Sequence, residues 1–162
     1  MISNPGLDRI DCTILRQLRK NARISNKDLA QRVGLAPSSC LERVRRLRLG
    51  GVITGYHADL EPAPLGIGLQ AMVAVKLIRH ERRAVESFRQ RMLDREEVIA
   101  VYHVAGANDF LVHLVARDSE HLRQLAMEAF TESPEVAHIE TGLIFDYAWS
   151  GNLPIYSVEE EG

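Results

Sequence analysis

Hydrophobic residues in the first fifty positions recur at the spacing of helices. Across residues 7–18 they fall three or four positions apart with charged residues between them, which predicts an amphipathic helix. Ser25 suits the start of a short second helix that ends at Gly34, a residue type that adopts left-handed turns. Pro37 suits the first turn of a third helix, which runs to Gly50. This order predicts a helix-turn-helix.

The third helix carries the polar chemistry of this region. Apolar side chains share one side of its helical wheel, which predicts the face that packs on the first two helices: Cys40, Leu41, Val44 and Leu47. The other side and its flank carry the candidate DNA contacts Ser38, Ser39, Glu42, Arg43, Arg45 and Arg46. A helix fits the major groove, where arginine pairs with guanine. The alternative is that these arginines form only a solvated surface.

The pattern changes after the two glycines that follow the third helix. Residues 52–61 have strand character and predict either a wing beside the helices or a hinge strand that leaves the domain. The Pro- and Gly-bearing stretch 61–68 predicts a linker. We therefore predict a winged helix-turn-helix domain over 1–60, the linker over 61–68 and a second domain over 69–162.

The second domain alternates between strand and helix periodicity. Strands are predicted over 69–77, 98–104, 110–116 and about 136–149, and helices over 81–93 and from about Ser119. The order β-α-β-β-α-β is that of the ferredoxin-like fold, so the predicted fold class is α+β.

Both faces of the predicted strands carry apolar side chains. Ile99 and Val101 alternate with Val98 and Ala100, and a similar alternation follows in the strand over 110–116. Two helices cover only one face of such a sheet, and an antiparallel sheet leaves its other face to water when that face is polar. We therefore expect the second face to be buried against another copy, giving a dimer with two helix-turn-helix units.

The sign of the net charge changes along the chain close to the point where the helical periodicity of the first fifty residues ends. The formal net charge is −2, but residues 1–55 hold 11 Lys and Arg against 4 Asp and Glu, which is +7. Residues 56–162 hold the remaining 9 and 18, which is −9. A basic helical third suggests contact with nucleic acid, whereas the acidic remainder should stay off DNA.

Other classes of protein and site find little support in the sequence. The sequence has no stretch that approaches 18 consecutive apolar residues, so it predicts no membrane span. The N-terminus lacks the pattern of a secretory signal, so a cytoplasmic protein is expected. Cys12 and Cys40 fall on predicted buried faces and lack metal-ligand spacing. The histidines are scattered, although His103 and His113 could face each other across strands, and no metal or other cofactor is expected.

The motifs LDRID, RIS, VGL and GVITGY, followed by VIAVYHVAGANDFLVHLVA, resemble the Lrp/AsnC family of transcription regulators. The resemblance runs from Leu7 to about Tyr147. It implies an N-terminal DNA-binding helix-turn-helix, a C-terminal ferredoxin-like domain for effector binding and oligomerisation, and regulation by amino acids. It also implies dimers that assemble further, commonly to octamers.

The resemblance also implies an effector site in the second domain. The family's GxxD loop corresponds to Gly106 through Asp109, where glycine lets a ligand carboxylate approach backbone amides and Asp109 can pair with an ammonium group. Thr141 occupies a comparable place near the final strand. The alternative is that Asp109 only caps amides of a hairpin turn. Ala36 and Ala105 depart from the serine or threonine common in relatives, which removes a possible helix cap and a possible ligand hydrogen bond.

Two other functions compete with that of a non-enzymatic regulator. Similar two-domain proteins act as decarboxylases of haem-type biosynthesis, and Tyr102 and His103 keep that alternative open. A basic third helix has no use in such an enzyme, and no set of nucleophile and base is evident. A partner protein that senses amino acids without DNA contact would not need the N-terminal domain. The sequence does not name the effector, the operator or the sign of regulation.

Overall fold

A computed structural model describes residues 6–79, 81–148, 150 and 153–156 of the chain. The described residues form two units, one helical over residues 6–59 and one built on a sheet over residues 60–79 and 81–148. Residues 150 and 153–156, which lie within the range 69–162 predicted for the second domain, group with the helical unit. Within the helical unit, the Arg19 guanidinium donates a hydrogen bond to the Leu153 carbonyl (3.1 Å), which ties this segment to the first helix.

The helical unit has the three expected helices: α1 (Arg9–Lys20), α2 (Asn26–Val33) and α3 (Pro37–Leu49). Ser25 caps α2 by accepting a hydrogen bond from the Asp28 amide, and Gly34 ends it in the left-handed conformation with φ 70°. Pro37 occupies the first turn of α3, as predicted. The helices bury one apolar core that includes Ile14, Leu29, Ala30, Cys40 and Leu47.

Residues 52–61 form no strand, contrary to the prediction of a regular wing or hinge strand. The amides of Val52 and Ile53 donate back to the Leu47 carbonyl, and both side chains pack on the helical core. Residues 54–61 are exposed. A strand needs a neighbouring backbone to pair its amides, and the described part of this chain brings none to this segment.

The second unit is a four-stranded antiparallel sheet with the order β2-β3-β1-β4. The strands are β1 (Leu69–Leu77), β2 (Val98–His103), β3 (Phe110–Ala116) and β4 (Val136–Ile144). Helix α4 (Arg82–Leu93) and helix α5 (Ser119–Ala126), which continues as a π-helical turn over Met127–Thr131, cover one face. This arrangement confirms the predicted ferredoxin-like βαββαβ order. The core lies between that face and the helices, around Val73, Val75, Phe88, Phe110 and Phe130.

Two strands differ from their predicted form. The pairing of β2 with β3 shifts between Val98 and Ala100, so Val98 and Val101 both pack on the core. Ile99 is 56% exposed, so the regular alternation predicted for this strand is wrong. β4 ends at Ile144, opposite Gln70 near the start of β1, and the predicted end at Trp149 lies outside the described residues.

Candidate nucleic-acid interface and effector site

The exposed side of α3 carries most of the predicted DNA contacts. Ser38, Ser39 and Glu42 are exposed, and the side chain of Arg45 is 70% exposed and 4.0 Å from Glu42. Ala36 stands at the N-cap with no side-chain hydrogen bond, so the first turn of α3 keeps unpaired amides for an incoming anion.

Leu41 does not pack on the helical core as predicted, because it is 58% exposed. The position lies about 100° around the helix from the buried Cys40, which turns it toward solvent. Leu49 is 78% exposed. The outer side of α3 is therefore mixed, with hydroxyls at its start, charged groups in the middle, Leu41 between the two and Leu49 at its end.

Arg43 and Arg46 reach from α3 to the first turn of α1. One Arg43 nitrogen (Nη1) donates to Asp8 Oδ2 (2.5 Å) and to Asp11 Oδ1 (2.9 Å). Arg46 Nη2 donates to Asp11 Oδ2 (2.6 Å). Both oxygens of Asp11 are therefore bound by arginine, and we call these four residues the Asp11 cluster.

The Asp11 cluster joins a buried carboxylate to two partly exposed cations. The Asp11 side chain is 1% exposed, whereas those of Arg43 and Arg46 are 26% and 60% exposed. Asp8 is the N-cap of α1 and accepts from the Asp11 amide (2.7 Å), which holds the Asp8 pKa below its usual range with help from Arg43. Hydrogen bonds to Asp8 and Asp11 raise the pKa of Arg43.

The sequence pattern did not predict Asp8 and Asp11 as parts of this site. The available signal was the place of Asp11 on the helical wheel. It lies four residues after Leu7 and seven before Leu18, within the apolar stripe of α1. A carboxylate in an apolar stripe needs a cation, and arginines of the same unit are the natural source.

The GxxD loop connects β2 to β3. Gly106 has φ 136°, a conformation that L side chains rarely adopt, so glycine is required there. The Asp109 carboxylate accepts from the Leu77 amide (2.8 Å), and its own amide donates to the Val75 carbonyl (2.9 Å). Asp109 thus caps the end of the neighbouring strand β1 and does not only close the hairpin.

Thr141 lies on the other side of β1 from this loop. Thr141 of β4 is paired with Val73 of β1. Asp109 directly precedes Phe110, the residue of β3 that is paired with Val75 of β1. Two strand spacings and about three residues separate them, which corresponds to about 14 Å. The described structure does not bring Thr141 and the loop together within one chain.

Other titratable groups form no metal site in the described residues, where no cluster of three His, Cys, Asp or Glu side chains occurs. His103 stacks on Phe110 (4.9 Å between ring centroids), while the strand register places His113 opposite Ala100. The two histidines therefore do not face each other. Cys12 and Cys40 are buried thiols, and burial raises the pKa of each.

A cleft of about 480 Å³ opens between the end of α4 and the π-helical turn. Its lining includes Arg91, Arg95, Glu128 and Ser133 and contains none of the predicted site residues. Arg91 is already bound to Glu135 (2.5 Å) and to the Ser133 hydroxyl (3.1 Å).

In the described part of the chain, no helix is long and apolar enough to cross a membrane.

Comparison with known proteins assigns both units. Residues 7–54 match the family model for winged helix-turn-helix DNA-binding domains, and residues 70–149 match that for the Lrp/AsnC ligand-binding domain. The HTH-type transcriptional regulator AldR of Mycolicibacterium smegmatis is 45% identical over 87% of this chain and 82% of its own length. The chain belongs to the Lrp/AsnC family. Its fold class, with an N-terminal winged helix-turn-helix and a C-terminal α/β domain, is that of this family.

Further Lrp/AsnC relatives agree along nearly the whole chain. The leucine-responsive regulatory protein of Escherichia coli strain K12 is 38% identical over 91% of this chain and 92% of its own length. A transcriptional regulator from Neisseria meningitidis, solved in complex with L-Met, is 28% identical and covers 91% of this chain and 96% of its own, with a TM-score of 0.82.

The Lrp/AsnC assignment settles the class of function. The protein is an HTH-type transcription regulator with a DNA-binding domain and a ligand-binding domain. Its relatives are regulators and not enzymes, so the decarboxylase alternative is not supported. The exposed side of α3 lies in the DNA-binding domain and the GxxD loop in the ligand-binding domain.

Proposed function

We propose that an amino acid or a related small effector binds at the GxxD loop and changes the affinity of this regulator for DNA. The observation that carries the proposal is the arrangement at Gly106 and Asp109. Gly106 has φ 136° with no atom within 4 Å of an added Cβ, so the loop backbone is open to a ligand. Asp109 is a half-buried carboxylate held at a fixed place by the Leu77 amide.

These groups suit the two ends of a free amino acid. A carboxylate can approach backbone amides at a glycine, and an ammonium group can pair with Asp109. The L-Met complex of the Neisseria meningitidis relative supports an effector of this class. No cofactor is part of the proposal.

We place Thr141 in this site only across two copies of the chain. A separation of about 14 Å, estimated from strand geometry, exceeds the span of one amino acid. Thr141 lies on the edge strand β4 and is exposed, so a neighbouring copy can reach it. An effector site completed between copies would couple ligand binding to assembly.

The second face of the sheet supports a dimer. Met72, Ala74, Leu111 and Val115 lie on the side of β1 and β3 opposite the helices and are only half-buried in the single chain. Burial against a second copy would remove this apolar surface from water and would present two α3 helices to a palindromic site. Assembly of such dimers to octamers, as the family resemblance implies, is part of the same proposal.

The proposed DNA contacts are Ser38, Ser39, Glu42, Arg45 and Arg46. They are exposed on α3, and the recognition helix of a helix-turn-helix enters the major groove of double-stranded DNA. We assign Arg43 to the Asp11 cluster instead, since its guanidinium is bound to two carboxylates. We also propose that this DNA-binding regulator acts in the cytoplasm.

A thermal-shift screen of the twenty amino acids, followed by calorimetry with the best ligand, tests the effector site. Asp109→Asn keeps an oxygen that can accept from the Leu77 amide but removes the charge. We expect it to abolish ligand binding while the melting temperature without ligand stays close to that of the wild type. Asp94→Asn, an exposed change in the same unit, is the matched control. Retained affinity in Asp109→Asn would reject the ammonium contact.

A further inference from the structure

We propose that Asp11 is a positioning residue for DNA recognition, which fixes the guanidinium of Arg46 for contact with a base edge. The inference rests on the proposed function, in which Arg46 contacts DNA. It adds a residue of α1 that touches no DNA itself but determines whether the regulator distinguishes its operator from other sequences.

The geometry of Arg46 supports this role. One terminal nitrogen is anchored to Asp11 Oδ2 at 2.6 Å, while the side chain as a whole is 60% exposed. A guanidinium is a rigid planar fork, so an anchor on one nitrogen restricts the plane in which its remaining N–H groups point. Paired hydrogen bonds to guanine O6 and N7 need such a fixed plane.

The anchor itself is rigid. Asp11 is buried in the first turn of α1, its side chain is 1% exposed, and its amide is bound to the Asp8 carboxylate at 2.7 Å. Its second oxygen is bound by Arg43 at 2.9 Å. A carboxylate held by a helix and by a second arginine cannot rotate with Arg46, so Arg46 must take the orientation that Asp11 sets.

Arg43 has a separate part in this arrangement. The cluster contains two carboxylates and two guanidinium groups, so its formal charge is zero. Without Arg43, Asp8 and Asp11 together would leave a net negative charge beside the DNA face of α3. Arg43 therefore serves as the counter-ion that lets a carboxylate orient Arg46 without repelling phosphates.

Arg45 provides the internal contrast. It lies on the same helix, its side chain is 70% exposed, and its acidic neighbour Glu42 is 4.0 Å away and itself 73% exposed. Such a pair is weak and mobile in water. We therefore assign Arg45 to phosphate contact, which needs charge but no fixed plane, and Arg46 to base contact.

The test uses full-length protein and two duplexes: one selected by this protein from a random-sequence pool, and a shuffled duplex of the same composition. In Asp11→Asn the preference for the selected duplex should fall about 5- to 150-fold, the discrimination that one bidentate arginine contributes. Affinity for the shuffled duplex should rise, because a negative charge is lost. Its salt slope should steepen by about 0.9 for each arginine released to a phosphate.

Asp8→Asn is the matched control. It removes the same charge from the same cluster, and asparagine caps helices as well as aspartate does. Because Asp8 contacts Arg43 and not Arg46, affinity for the shuffled duplex should rise again while the preference for the selected duplex stays within about twofold. Equal weakening of both duplexes in Asp11→Asn would mean that Asp11 only maintains the fold, and an unchanged preference would mean that it does not position Arg46. Either result overturns the inference.

Arg46→Lys separates this inference from its premise. It keeps the charge but loses the fork, so the preference should fall while the salt slope stays unchanged. If Arg46→Lys retains the preference, Arg46 contacts no base and the proposed DNA contact fails. If it loses the preference while Asp11→Asn retains it, only the positioning role fails.

The mobility of the Arg46 and Arg45 side chains can be measured in the wild-type protein, so this test does not depend on the folding of a variant. Nuclear spin relaxation of the Arg46 and Arg45 Nε groups compares the two side chains directly. We expect an order parameter near the rigid-backbone value of about 0.85 for Arg46 and below about 0.6 for Arg45. Equal mobility of the two side chains would overturn the inference.

Discussion

The helical unit and the sheet unit differ in how they assemble their predicted sites. The DNA-contact residues lie on a single helix, so the period of that helix alone brings Ser38, Glu42 and Arg45 to one side. The effector residues lie on a loop and on β4, with β1 between them. A site within one element can be complete in one chain, whereas the effector site that we propose would need a second copy to include Thr141.

Asp11 of the helical unit and Asp109 of the sheet unit also differ in the groups that bind their carboxylates. Asp11 is buried and its carboxylate is bound by two arginines from another helix. Its charge therefore stabilises the fold of the unit and, as we propose, orients the guanidinium of Arg46. Asp109 is half-buried and accepts from a backbone amide. The Asp11 carboxylate is thus neutralised by side chains of its own unit, whereas the Asp109 carboxylate caps the backbone of β1 beside the loop where we propose that an effector binds.

The largest expected difference between the two units is in their response to salt concentration. If a dimer neutralises about six phosphates, its affinity for DNA falls about a thousandfold between 50 and 200 mM salt through counterion release. The sheet interface that we propose between two copies should persist, because burial of apolar surface is not screened by ions. Gel-shift titration measures the first quantity and sedimentation the second. Dimers that dissociate in step with DNA release would contradict this division between the units.

Asp11→Ala should have the next largest effect, on the stability of the helical unit. Removal of one partner from a buried ion pair costs about 3–5 kcal/mol, and because both arginines are partly exposed we expect about 2–3 kcal/mol. Thermal unfolding followed by circular dichroism measures the loss. Asp8→Asn should cost under about 1 kcal/mol, since asparagine is an equally good N-cap. Equal losses in the two variants would show that Asp11 holds no special place in the cluster.

Much of the fold was predictable because it depends on local pattern. The bounds of β1 and β3 were predicted correctly, as were Gly34 at the end of α2 and Pro37 in the first turn of α3. Each of these follows from periodicity or from the conformational limits of one residue. The β-α-β-β-α-β order then fixed the class of fold.

The features that were missed depend on contacts distant in sequence. The bulge at Ile99 shifts a face of β2 without any mark in a run of apolar residues. The Asp11 cluster joins residues 32 to 35 positions apart, so it needs the packing of α1 on α3. The strand predicted over 52–61 had suitable residues but no partner among the residues that the structure describes. Sequence pattern indicates what a segment favours, and tertiary neighbours decide whether it forms.

Gly106→Ala tests whether the sheet unit gives up stability to keep its loop open. The added Cβ meets no atom within 4 Å, so the cost arises only from φ 136° and should be about 1–2 kcal/mol. Gly142→Ala on β4 is the matched control, because its added Cβ would make an ordinary 3.8 Å contact with the Met72 carbonyl oxygen. Chemical denaturation should show the control close to the wild type. Equal stability of Gly106→Ala and the wild type would mean that the loop relaxes to another conformation.

The smallest expected effect concerns pH, which should act on the two units in different ranges. Burial lowers the pKa of His113 below its usual 6.5, and its Nε2 lies 2.9 Å from the Gln70 side-chain oxygen. Between the lowered value and 6.5 the unfolded chain binds more protons than the folded chain, so the sheet unit loses stability as pH falls below 6.5.

The helical unit should keep its stability to lower pH. The pKa of Asp8 lies below its usual 3.8, so the contribution of Asp8 is complete above that value and is lost only as pH falls below it. Hydrogen exchange by segment, corrected for the intrinsic effect of pH, should show β1 and β3 loosening between pH 7 and 5 while α1 and α3 do not. His113→Gln should remove that loosening, and His138→Gln, an exposed change on β4, should not. If β3 loosens equally in His113→Gln, the acid sensitivity of the sheet unit arises elsewhere, and the contrast in pH response between the units does not rest on His113.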